Sequence, residues 1–155
     1  GAGGVAGTGA RGVGEGLSHV AGTVARGQAV IGAIIYAALA ADATVTGLAG
    51  ARIYPEEAPD EAALPLVVYT VRAQEVVEGT APMWPCTVSA NCYAATDGDA
   101  EALGAAVRSV LDGFNGSDAG FLARGLFLAD YGELRDSEFS LWGRLATFNG
   151  WIVRR

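Results

Sequence analysis

Few residues in this chain have the types and spacing that chemistry requires. Gly7, Gly9 and Gly12 in "GTGARG" satisfy the dinucleotide pattern G-x-G-x-x-G. That pattern holds a pyrophosphate only when a buried strand runs into the first glycine and a helix opens after it, so that free N–H groups meet the phosphates. The residues in front are "GAGGVA", which cannot be such a strand, and no β-rich run with an acidic ribose ligand flanks the motif. Ten of the first 27 residues are glycine, so the spacing arises by composition alone. No nucleotide site and no cofactor is expected.

The other candidates fall in turn. All ten basic residues are arginine, which removes the P-loop lysine and Schiff-base chemistry together. His19 is the single histidine and lies in the Gly-rich stretch, so multi-histidine zinc sites are excluded and an acid/base pair has one member to draw on. Asp97, Asp99 and Glu101 alternate like the start of a calcium loop, yet the sixth and twelfth positions are Ala102 and Arg108 instead of Gly and Glu. Those acids suit a helix start, where negative charge meets the positive end of the dipole. No G-x-S-x-G is present, and "NGS" at 115–117 reads first as a turn after a helix. The expectation is a protein without catalytic residues or a metal site.

Cys86 and Cys92 lie on one predicted strand. At roughly 3.3 Å per residue their Cα atoms stand about 20 Å apart, against the roughly 7 Å a disulfide spans. Reduced core thiols, made in a cytoplasm, are expected.

At 155 residues the chain supports one domain with a sizeable core. Seventeen acids against ten arginines give a net charge of −7, which repels a phosphate backbone, so sequence-specific nucleic-acid binding is not expected. Residues 1–27 form a Gly-rich flexible or partner-ordered arm, because glycine offers little to bury and much entropy to lose. The domain proper is 28–155.

"AVIGAIIYAALAA", Ala29 to Ala41, is uncharged. It places Ile31, Ile34, Ile35 and Leu39 on one helical face and Gly32, Tyr36 and Ala40 on another. Thirteen residues are too few to span a bilayer, so a buried helix is the reading adopted and no membrane partner is expected. Arg26 ahead of the run and "ALA" at 38–40 also match the flanks of a signal peptide. A loop, "RIYPEEAPDEAALP", entered by a short extended piece, then leads to a strand over 66–76. A hairpin tip over 78–85 carries Met83 and Trp84, and a strand over 86–94 turns Cys86, Val88, Ala90, Cys92 and Ala94 to the core. Thr96 and Asp99 cap a helix striped by Leu103, Val107, Val110, Leu111 and Phe114. Strands over 122–131 and 141–153, joined by the polar "GELRDSEF", end the chain. The predicted fold is α+β: a mainly antiparallel sheet of about four strands with two helices packed on it, preceded by the arm.

This architecture leaves apolar surface over. Met83 and Trp84 on the tip, Tyr36 on the helix and Trp151 in the last strand are candidate contacts with another chain, since aromatics and Met anchor interfaces.

Three short motifs then appear in order: Ile35, Leu39 and Asp42; Leu48, Gly50, Arg52, Ile53, Tyr54 and Pro55; and Leu64, Pro65, Val67, Val68 and Tyr69. Followed by "NCYAAT" and the helix "AEALGAAVRSVLDGF", they make residues 29–155 resemble the phage tail completion or tail terminator family. The resemblance implies a small α+β subunit of the virion tail, made in the bacterial host cytoplasm. It would form a hexamer ring at the head-proximal end of a long phage tail or of a phage-like gene transfer particle, in which Met83, Trp84, Tyr36 and Trp151 would be subunit or tube contacts and Glu56, Glu57, Glu75 and Glu78 lumen-facing acids. Its partners would be copies of itself, the tail tube protein and a neck or head-completion protein, with no enzyme activity. A neck or head-closure component is the alternative, and a small-ligand binding module a more distant one.

Overall fold

The computed structural model describes residues 8–74 and 82–155, with side chains from residue 22 onward. Three helices and six strands follow in the order α1 (Thr8–Ala41), α2 (Ala43–Ala49), β1 (Ile53–Pro55), β2 (Leu66–Ala73), β3 (Met83–Ala94), α3 (Asp97–Leu111), β4 (Phe114–Asp118), β5 (Phe121–Asp136) and β6 (Leu141–Arg154). The strands form one sheet in the order β1-β2-β3-β6-β5-β4, parallel between β1 and β2 and antiparallel elsewhere. The sheet is curled into a half-barrel. α1 touches both β1 and β4, the two opposite edges, so the sheet curls around this helix.

The four-stranded, two-helix expectation is corrected to a mixed six-stranded sheet with three helices. The sequence suggests β1 only as a short extended piece and β4 not at all, for physical reasons. β1 is three residues long and ends on proline, and β4 is "FNGSD", polar and glycine-bearing like the turn it was taken for. The helix missed, α2, is "ATVTGLA", whose β-branched residues and glycine favour other conformations. It forms because Asp42 caps it: the carboxylate accepts from the N–H groups of Thr44 at 3.0 Å and Val45 at 2.9 Å. "GELRDSEF" is corrected as well, because β5 runs on to Asp136 and pairs with β6 down to Leu141.

Helix α1 starts at Thr8, well before the apolar run, and takes in the described part of the Gly-rich segment. At 34 residues it is about 51 Å long at 1.5 Å per residue. Its segment Gly22–Ala41, 20 residues, is long and apolar enough to cross a membrane by length and composition, which the thirteen-residue run alone is not. In this fold, however, Val24, Ile31, Ile34, Ile35 and Leu39 are buried on one stripe against the sheet, as in a core helix. Gly27 permits close approach to the sheet, since a Cβ there would lie 3.0 Å from the ring of Phe121 and 3.2 Å from Ile152.

The core lies between the helices and one face of the sheet. Cys86, Val88, Ala90, Cys92 and Ala94 all point into it, as the period-2 alternation predicts. Register carries that face across the sheet, from Val71 through Val88 to Phe148 and from Tyr69 through Ala90 to Ala146. Thr96 caps α3, its hydroxyl accepting from the Asp99 N–H at 3.2 Å, and Leu103, Val107 and Leu111 complete the core.

Both cysteines are free and buried. Burial pushes the Cys86 thiol up to about 11 and the Cys92 thiol up to about 12. The thiolate is the nucleophile, so neither thiol should react with an aromatic disulfide reagent at pH 8 until the chain is denatured, when both should. Rapid native labelling would mean that β3 opens freely.

Candidate interaction surfaces

The family-like motifs prove to be the joints of the fold. Asp42 turns the chain from α1 into α2, as described. The Arg52 guanidinium donates from Nε to the Pro65 carbonyl at 2.8 Å and reaches the Leu48 carbonyl at 3.4 Å, so one side chain ties the end of α2, β1 and the entry to β2. The Val67 N–H closes the parallel joint by donating to the Arg52 carbonyl at 2.9 Å. These residues hold architecture together.

The helices all lie on the inner side of the sheet, so the outer face carries the exposed apolar residues. Met83 pairs with Val153, and Pro85 with Trp151, which pairs in turn with Arg124 on β5. Met83 and Trp151 therefore share one patch at the end of the sheet where β6 finishes, and they are 39% and 44% exposed. Phe127 joins them at 60%. It faces outward because the register shifts between Arg124 and Phe127, leaving Leu126 buried and its neighbour in solvent.

Trp84 does not belong to this surface. It stands on β3 one residue after Met83, points inward and is 6% exposed, because the strand begins earlier than the proline-flanked tip suggested. Tyr36 is exposed on a different side, on α1, with its ring centroid 6.4 Å from that of Tyr69. The four candidate contacts thus fall into a sheet-face pair, a separate helix residue and a core residue.

Of the candidate lumen acids, Glu56 and Glu57 are exposed just after β1, and Glu75 and Glu78 lie outside the described residues. Glu56 is bound by a fork of two hydrogen bonds from Arg72, at 2.8 and 2.6 Å. This bond, slightly opposed by burial, holds the Glu56 carboxyl below the usual range. Its contribution to stability is therefore present at neutral pH and lost as pH falls through the lowered value; for a pair this exposed it is small.

A denser polar cluster sits at the opposite end. Arg144 is buried on the inner face of β6 and binds Asp97 at 2.7 Å and Glu101 at 2.9 Å, with Glu133 at 3.7 Å. The Asp97 hydrogen bond is the first cause raising the guanidinium above its ordinary range, against a cost from burial. A raised cation keeps its stabilisation at every pH below the ordinary guanidinium range. Arg108 stacks over Tyr131 at 4.2 Å. The neighbouring Gly104 leaves room for this packing, since a Cβ there would meet the Tyr131 hydroxyl and come within 2.9 Å of the Arg144 Cβ. The cluster pins the start of α3 to the β5–β6 hairpin, whose tip presents Phe139 at 72% exposure. Neither Phe127 nor Phe139 stood out in the sequence, although the tip's "DSEFS", an aromatic set among polar residues, was a usable signal. Among the described residues no group of three or more His, Cys, Asp or Glu could hold a metal ion.

Residues 33–152 match the family model described as "Tail completion protein gp17". The fold is similar to a chain from a solved structure titled "Virion of native gene transfer agent (GTA) particle", with a TM-score of 0.66 and 20% identity over 77% of this chain and 91% of that one. No curated protein matches.

Proposed function

Since this chain belongs to the tail completion protein gp17 family, and is thus a structural protein of the phage tail that assembles with other virion proteins, we propose that it forms a ring of six copies at the head-proximal end of a long tail. There the ring stops tube polymerisation and offers a docking surface to the neck. The observation that carries this reading is the family match over residues 33–152, which runs from α1 into the last strand. The exposed surface supports it. A cyclic ring uses two different lateral surfaces on each subunit, and apolar side chains stand out on the sheet face, at the hairpin tip and on α1. Glu56 and Glu57 face the lumen in this arrangement, where negative charge lets DNA slide without sticking.

The test is to add the protein to purified tail tubes that lack a cap. Co-sedimentation with the tubes, arrest of their elongation and a six-subunit native mass are the expected results. Tubes that elongate unchanged, with the protein bound instead to the head-side connector, would replace this reading with a head-closure role.

A further inference from the structure

The domain carries a knob at one end and a hollow at the other. The knob is the β5–β6 hairpin tip, where Phe139 stands in solvent beside the exposed Glu138. The arm beneath it is held in place. The Asp136 carboxylate accepts from the Glu138 N–H at 3.1 Å and the Phe139 N–H at 3.4 Å, and Arg135 lies 4.5 Å over the ring of Trp142. The Arg144 cluster fixes the arm's base to α3. An exposed aromatic on so constrained an arm gains nothing for its own chain.

The hollow lies on the outer face at the far end of the strands. Trp151 and Pro85 line it, with Gly125 and Gly150 contributing no side chain and Thr87 and Asn149 closing one side with a hydrogen bond of 3.1 Å. Arg124 stands opposite Trp151 in register, on the same outer face. It is exposed and has no ion-pair partner among the described residues. Glu138 has none there either. An aromatic flanked by an unpaired acid at one end thus complements an aromatic-lined hollow flanked by an unpaired arginine at the other.

We propose that the occupant of the hollow is a second copy of this chain, with Phe139 of one copy seated beside Trp151 of the next and Glu138 facing Arg124. The contact joins unlike surfaces, so it propagates head to tail, the kind of contact that closes into a ring when its rotation completes a circle. This deepens the ring reading above and rests on it.

Two variants test it: Phe139→Glu removes the knob, and Trp151→Glu spoils the hollow. Arg124→Glu replaces the latter should Trp151→Glu not fold, as judged by circular dichroism. Native mass is measured over a concentration series for the full chain, for each variant and for their 1:1 mixture. The wild type should assemble, and each variant alone should need at least tenfold more protein to do so. The mixture retains one good contact and should give dimers and nothing larger. If either variant assembles as the wild type does, or the mixture stays monomeric, the contact is overturned while the ring reading stands. If the wild type itself stays monomeric at every concentration, both fail as statements about self-assembly.

Discussion

Replacing Phe148 with alanine should destabilise the domain by about 4 kcal/mol, the usual cost of emptying a fully buried phenylalanine site. Phe148 has no exposed surface and sits on β6, paired with Val88 of β3 on one side and Leu128 of β5 on the other. The cavity would therefore open between the middle strands and the helices, where β-sheet hydrogen bonds on both sides resist collapse. Against a typical total of roughly 5–15 kcal/mol, the loss should be plain in urea unfolding as a lower midpoint with an unchanged slope. Thr147→Ala, next along the strand but outward-facing, should cost less than about 1 kcal/mol. Equal effects at the two positions would mean that the inner and outer faces are misassigned.

The second large effect is an asymmetry at Arg144. Its side chain is 4% exposed, whereas those of Asp97 and Glu101 are more than half exposed. Removing the cation returns the carboxylates to water they already touch; removing Asp97 and Glu101 leaves a buried cation with only the exposed Glu133 at 3.7 Å. The double change Asp97→Asn with Glu101→Gln should accordingly cost about 3 kcal/mol, and Arg144→Met about 1 kcal/mol, the methionine filling part of the arginine stem's volume. Thermal unfolding of the two proteins at neutral pH decides it. The reverse order would show that the arginine's reach across to α3, rather than its desolvation, dominates.

What could be read from the sequence followed from how strongly a residue's neighbours along the chain determine its environment. The alternation from Cys86 to Ala94 announces a half-buried strand because period 2 has no other common source, and Thr96 with Asp99 announces a helix start because a cap is local chemistry. β1 carries no such signal. Its three residues become a strand only because Arg52 and Val67 dock it onto β2. Trp84 was misread because Pro82 and Pro85 suggest a tip, yet the register with Ile152 draws it inward. Phe127 could not be placed at all from spacing, because the register shift ahead of it reverses which residues face the core, and such a shift is decided by the partner strand. The exposed apolar surface depends on these non-local registers, so it is the least visible part in the sequence.

Because α1 contacts both edge strands, the curvature of the sheet is set by the girth of the helix inside it. The helix is a spacer of fixed diameter, about 10–12 Å with its side chains, and close packing leaves it little compliance. The hairpin tip and the opposite end of the strands are consequently held at a constant angle. In any head-to-tail closure that angle dictates how many copies complete the circle, so a change in the bulk of α1's inward residues, such as Ile31 or Ile35, would act on subunit number without touching an interface.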